Sequence, residues 1–172
     1  LHLLRKHGIT DLSNLSICEI GCGSGGVLQE FLSFGGDPEK LFGIDLLYPR
    51  LTEAKYRLPR SGFVCADGQM LPFPSNSFDL MLQFTAFSSI LSPQVKQTMA
   101  ANILRVLKSR GILLWYDFWL NPTNPQTKGI RPNEISVLFP HCVLEFHKIT
   151  LAPPLARRIV PFSWPLAMML ES

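Results

Sequence analysis

The stretch from Leu15 to Asp45 constrains this chain more than any other. An apolar run, Leu15-Ser16-Ile17-Cys18-Glu19-Ile20, leads into the glycine-rich turn Gly21-Cys22-Gly23-Ser24-Gly25-Gly26. Val27, Leu28, Phe31 and Leu32 then recur at helical spacing, and Leu41-Phe42-Gly43-Ile44 forms a second short run that ends on Asp45. Strand, glycine loop, helix, strand and acid in that order describe the βαβ unit of nucleotide-binding folds. Glycines let a ligand approach the main chain and permit the positive φ of a tight turn. The helix start offers free N–H groups to polar or anionic ligand atoms. An acid at the end of the second strand is placed to accept hydrogen bonds from a ribose.

The glycines fit two fingerprints. Gly21, Gly23 and Gly26 satisfy the dinucleotide pattern Gly-x-Gly-x-x-Gly, and Glu19 to Gly25 satisfies Glu-x-Gly-x-Gly-x-Gly. The second pattern, Glu19-Ile20-Gly21-Cys22-Gly23-Ser24-Gly25, resembles the first motif of the class I S-adenosylmethionine-dependent methyltransferases. The stretch Cys65 to Leu80, with Asp67 followed by Leu71-Pro72-Phe73 and then Phe78-Asp79, resembles the third motif of the same family. The two motifs together favour that family over a nicotinamide dehydrogenase.

The resemblance implies S-adenosylmethionine as cofactor and assigns roles by position. Gly21, Cys22 and Gly23 would give backbone contacts to its amino-acid half, and Glu19 an acid beside that half. Asp45 would hold the ribose hydroxyls, with Leu46 against the adenine, and Asp67 would accept from the adenine amino group beside Gly68. Gln83 and Phe84 would line the methionine end. The plainer readings are a helix cap for Asp45 and an Asp-Gly turn for Asp67. No catalytic base is assigned, because methyl transfer from a sulfonium depends mainly on alignment. The implied activity is methylation of a small-molecule acceptor, lipid-like or a secondary metabolite; the alternative is a module that binds the cofactor without turnover.

In chain order, residues 1–10 read as a helix end capped at Gly8, Tyr48–Leu58 as a helix stopped by Pro59, and Phe63–Ala66 as a strand. Leu71–Ser77 is loop and Phe78–Gln83 the fourth strand. Ser92-Pro93 starts a helix whose apolar face is Val95, Met99, Ile103, Val106 and Leu107, ended by Gly111; Ile112–Tyr116 is a buried fifth strand. Asn121–Arg131 reads as surface loop, Pro132–Phe139 as a short helix and Cys142–Leu151 as a sixth strand. The fold class expected is α/β, a doubly wound and mostly parallel sheet of Rossmann-like methyltransferase type. The family's sheet closes with an antiparallel seventh strand, for which no candidate follows Leu151. One methyltransferase domain is expected over residues 1–172.

Asp79, away from the ligand edge, reads as structural, and so do His141 and His147, which lack a paired acid. Tyr116, Asp117 and Trp119 sit where they could meet substrate. Four cysteines lack metal-ligand spacing, so no zinc is expected; Cys18, Cys22 and Cys65 fall in or beside strands as small core residues, in a reduced, cytoplasmic setting. A net charge of +3, without a basic stripe carrying aromatics, gives no nucleic-acid partner. The opening Leu1–Lys6 shows no signal-peptide pattern, and the apolar Ile159–Leu170, with its prolines, is too short to span a bilayer.

Overall fold

The computed structural model describes residues 2–119 and 126–148. Helix α1 (His2–Lys6) is followed by β1 (Ile17–Ile20), α2 (Gly26–Ser33), β2 (Leu41–Asp45), α3 (Tyr48–Arg57), β3 (Gly62–Cys65), β4 (Phe78–Phe84), α4 (Pro93–Val106), β5 (Leu107–Tyr116) and α5 (Pro132–Leu138). The five strands form one sheet in the order β3-β2-β1-β4-β5. Ile20 stands beside Ile44 of β2 and Gln83 of β4, and Asp45 beside Cys65 of β3, all in parallel register. The chain winds outward from β1 to β3 and then crosses back to β4. That reversal places a crevice at the carboxyl ends of β1 and β4, the usual ligand position in an open α/β sheet. The doubly wound class is therefore the observed one.

The chain divides into two compact units, residues Leu1–Phe84 with Thr98–Trp115, and Thr85–Gln97 with Tyr116–Ser172. In the first, Leu28 and Phe31 of α2, Leu51 of α3 and Leu58 just after it, and Ile17, Leu80 and Leu82 of the sheet share one core. Gly43 in β2 is required by that packing. A Cβ there would come within 2.7 Å of Cys22 Sγ and 2.8 Å of the Phe63 ring. Gly43→Ala is expected to cost about 1–3 kcal/mol through overpacking, read as a lower denaturant midpoint at unchanged m-value.

Several boundaries differ from the sequence reading. Helix α4 stops at Val106, and Leu107–Arg110 are already strand. Tertiary bonds recruit them: Lys108 Nζ meets Asp79 at 2.8 Å, and the Ser77 N–H donates to the Val106 carbonyl. Asp79, which also accepts the Ser16 N–H, thus fastens β4 to its surroundings. Cys65 is exposed rather than core, because β3 is an edge strand. Residues 142–148 form no strand, and His147 does have a paired acid, Glu145, at 2.6 Å. Ile130, read as part of a surface loop, is fully buried. Residues 121–125, the rest of the expected sixth strand and the Ile159–Leu170 run lie outside the described residues. No helix among the described residues is long and apolar enough to cross a membrane.

In the second unit Phe87 packs edge-to-face on Phe139, and the buried Lys96 ammonium pairs with Glu134 at 2.6 Å. Asp117 faces inward: its carboxylate accepts the N–H groups of Ser88 and Phe118, each at 3.0 Å. Burial raises its pKa against those bonds. The group is engaged with its own main chain, whereas Trp119 is exposed. Asp117→Ala strands two donors and is expected to lower stability by about 1–3 kcal/mol, measurable by chemical denaturation.

Candidate functional site

The glycine loop closes the carboxyl end of β1. Gly25 caps α2 with φ of +79°, and a Cβ on it would lie 3.2 Å from Ala54 Cβ. Only glycine takes that conformation at so close a helix contact without strain. The loop's donors are largely spent. The N–H groups of Gly21 and Cys22 both donate to the Ile44 carbonyl, at 2.8 and 3.0 Å. The Gly25 N–H donates to the Cys22 carbonyl and the Gly23 N–H to Asp45 Oδ2. The loop uses these amides to hold itself together and against β2; the free donors expected from the sequence are those at the start of α2, a different set.

Two buried side chains at this edge carry polar atoms without a partner, Glu19 and Gln83. Glu19, in the middle of β1, is 2% exposed, and its Oε2 has no hydrogen-bond partner. Burial, reinforced by the charge of Asp45, pushes its pKa up to about 8, while the Leu28 N–H pulls the other way. Gln83, wholly buried at the end of β4, leaves both amide atoms unpartnered. Buried polar groups are rarely left so, and each such group calls for a partner, whether water, ligand or a moved side chain. Cys22 contributes main chain only. Its thiol is buried against Gly43, and burial followed by the charges of Glu19 and Asp45 raises its pKa to about 12.

Asp45 is not a helix cap, since α3 begins after Leu47 with no side-chain cap. Its carboxylate instead bridges two loops, accepting the Gly23 N–H at 2.9 Å and the Leu47 N–H at 2.8 Å. Leu46 stands beside it 65% exposed, an apolar surface at the rim. Asp67 makes the turn that its residue type suggests, with Oδ1 accepting the Gln69 N–H and Oδ2 the Gln69 side-chain amide. Gly68 is buried against Ile20 and Met99, so the Asp67 loop packs onto the end of β1. Phe84 packs half-buried against the core of the first unit.

Glu19, Gly21, Cys22, Gly23, Asp45, Leu46, Asp67, Gly68 and Gln83 thus come from the carboxyl ends of β1 to β4 and the loops after them, all on one sheet edge. Sequence reading missed Arg50, whose guanidinium lies 3.8 Å from where a Gly23 Cβ would be. The available signal was a cation in the first turn of the helix after the acid.

A twisted parallel sheet with an acid-rimmed crevice at its reversal point defines a Rossmann-like α/β domain. The chain belongs to the family described as a methyltransferase domain, whose model matches residues 18–115. It is 34% identical over 116 residues to the phthiotriol/phenolphthiotriol dimycocerosates methyltransferase 1 of Mycobacterium ulcerans, covering 66% of this chain and 41% of that protein. The ubiquinone/menaquinone biosynthesis C-methyltransferase of Ectopseudomonas mendocina is 31% identical over 135 residues, covering 73% and 51%. The chain therefore spans about half or less of the length of these curated relatives. An S-adenosylmethionine-dependent methyltransferase structure from Methanosarcina mazei superposes with a TM-score of 0.66 at 18% identity, covering 80% of this chain and 82% of that one.

Proposed function

We propose that this domain binds S-adenosylmethionine at the crevice and transfers its methyl group to a lipid-like small molecule or secondary metabolite. The observation that carries the reading is the set of polar side chains gathered at the carboxyl ends of β1, β2 and β4. The Glu19 carboxyl, the Asp45 carboxylate and the Gln83 amide suit a ligand bearing an ammonium and ribose hydroxyls. The pyrophosphate of a dinucleotide needs free main-chain donors, and the amides of Gly21, Cys22 and Gly23 are already engaged.

Within this reading Glu19 faces the cofactor's ammonium, and the main chain at Gly21, Cys22 and Gly23 shapes the bed for the amino-acid half. Asp45 exchanges its loop amides for the ribose hydroxyls, Leu46 covers the adenine, and Asp67 beside Gly68 takes the adenine amino group. Gln83 and Phe84 bound the methionine end. The bound cofactor supplies an already activated methyl group on a sulfonium. The chain's own contribution is alignment and exclusion of water, which together account for most of the barrier lowering such a transfer needs. The lipid-like acceptor is supported by the names of relatives, which include a sterol 24-C-methyltransferase at 28% identity. A cytoplasmic setting is supported by the free, buried thiols of Cys18 and Cys22.

Calorimetric titration with S-adenosylmethionine and separately with NAD tests the cofactor. Micromolar binding of the first alone is the expected result, and binding of NAD alone overturns it. Binding of S-adenosylmethionine without turnover on quinone, sterol or long-chain phenol acceptors would favour the non-catalytic module instead.

A further inference from the structure

The segment that carries Asp67 has almost no secondary structure of its own, yet it is fastened at five points to the last turns of α4. Arg105 spreads its guanidinium across two carbonyls, Nη1 to Phe73 O at 2.7 Å and Nη2 to Leu71 O at 2.8 Å. Asn102, one turn earlier, donates Nδ2 to Gln69 O at 2.7 Å and accepts from Arg105 through Oδ1 at 3.1 Å. The main chain of the same turn takes the Asn76 and Ser77 N–H groups on the carbonyls of Arg105 and Val106. The helix-terminal carbonyls thus accept loop N–H groups, and the loop carbonyls accept from the helix side chains, with one planar cation as the hub.

We propose that Arg105, oriented by Asn102, is a positioning residue that sets the place of Asp67 relative to the bound adenine, although neither side chain touches the ligand. This rests on the reading of Asp67 as the acceptor for the adenine amino group. The physical reason is the loop's composition. Residues 67–77 contain two prolines and only turn structure, so a carboxylate there keeps one place only if the carbonyls around it are held. Three carbonyls at alternate residues, 69, 71 and 73, are held by two side chains of one helix. Arginine matters at this site because its fork reaches two acceptors at once, which the single ammonium of lysine does not do in fixed geometry.

The test compares two ligands that differ at one group, S-adenosylhomocysteine and its inosine counterpart, in which the 6-amino group is a carbonyl. Wild type should prefer the adenosine form. Arg105→Ala, and to a smaller degree Arg105→Lys and Asn102→Ala, should reduce that preference by about tenfold while changing affinity for the inosine form little. Amide hydrogen exchange without ligand should speed up across Gly68–Ser77 in the same variants. Equal weakening of both ligands, an unmoved preference, or unchanged exchange would each overturn the positioning role. The milder Asn102→Ala keeps the test usable if Arg105→Ala does not fold. Wild type that binds neither ligand sinks the cofactor reading itself; wild type that binds with a preference untouched by the variants sinks the clamp alone.

Discussion

Glu19→Gln should make the ligand-free protein more stable at alkaline pH while weakening its hold on S-adenosylmethionine. Glu19 titrates near 8 in the fold against 4.5 for an ordinary glutamate, because burial disfavours its charge and Asp45 adds repulsion. A carboxyl with a raised folded pKa keeps its proton in the native state after the unfolded chain has lost it. Native protein then binds more protons than unfolded protein between those two values, so stability falls as pH rises through that window. Below pH 4.5 nothing is lost, and above about 8 the loss is complete. The slope approaches ~1.4 kcal/mol per pH unit at most. Residue 19 of the glutamine variant cannot titrate, so the variant's melting temperature should decline less steeply than that of wild type over that window, the remainder coming from groups such as Asp117. Equal slopes in wild type and variant between pH 5 and 8 would show that Glu19 is ionised in the fold. In binding, the sign reverses: an amide cannot neutralise an ammonium, and affinity should fall. Opposite effects on stability and affinity are characteristic of a functional group kept at a structural cost.

Asp45→Ala should reduce S-adenosylmethionine affinity by roughly tenfold to a hundredfold, corresponding to charge-assisted hydrogen bonds of ~1.5–3 kcal/mol. The substitution also releases the Gly23 and Leu47 amides, which the carboxylate now holds at 2.9 and 2.8 Å. Asp45→Asn separates the two effects, since it keeps the size and an acceptor but removes the charge. It should bind at intermediate strength, and it should move the Glu19 titration downward by removing the neighbouring charge. Titration calorimetry gives the first quantity and the pH dependence of melting the second. Affinity that is unchanged in both variants would take the ribose role away from Asp45.

The sequence by itself determined the order of elements through β5 and the edge on which the candidate site residues fall. Glycine loops, apolar runs and proline stops are local signals; Glu19 lies within the run that identifies a strand, and Asp45 and Asp67 stand at the ends of two others. It also carried the family, because the two motifs lie within the 98 residues from 18 to 115 that the family model matches. Tertiary structure decided what no local pattern encodes. Leu107–Arg110 became strand rather than helix because Lys108 pairs with Asp79, a residue far away in sequence. Cys65 became exposed because β3 has no outer neighbour. Asp117 turned inward to serve the Ser88 and Phe118 amides instead of facing substrate. The chemistry of the crevice was also settled at that level. Its balance of donors and acceptors depends on where the Gly21, Cys22 and Gly23 amides are spent, and that is fixed only when β2 lies beside β1 and presents the Ile44 carbonyl and the Asp45 carboxylate.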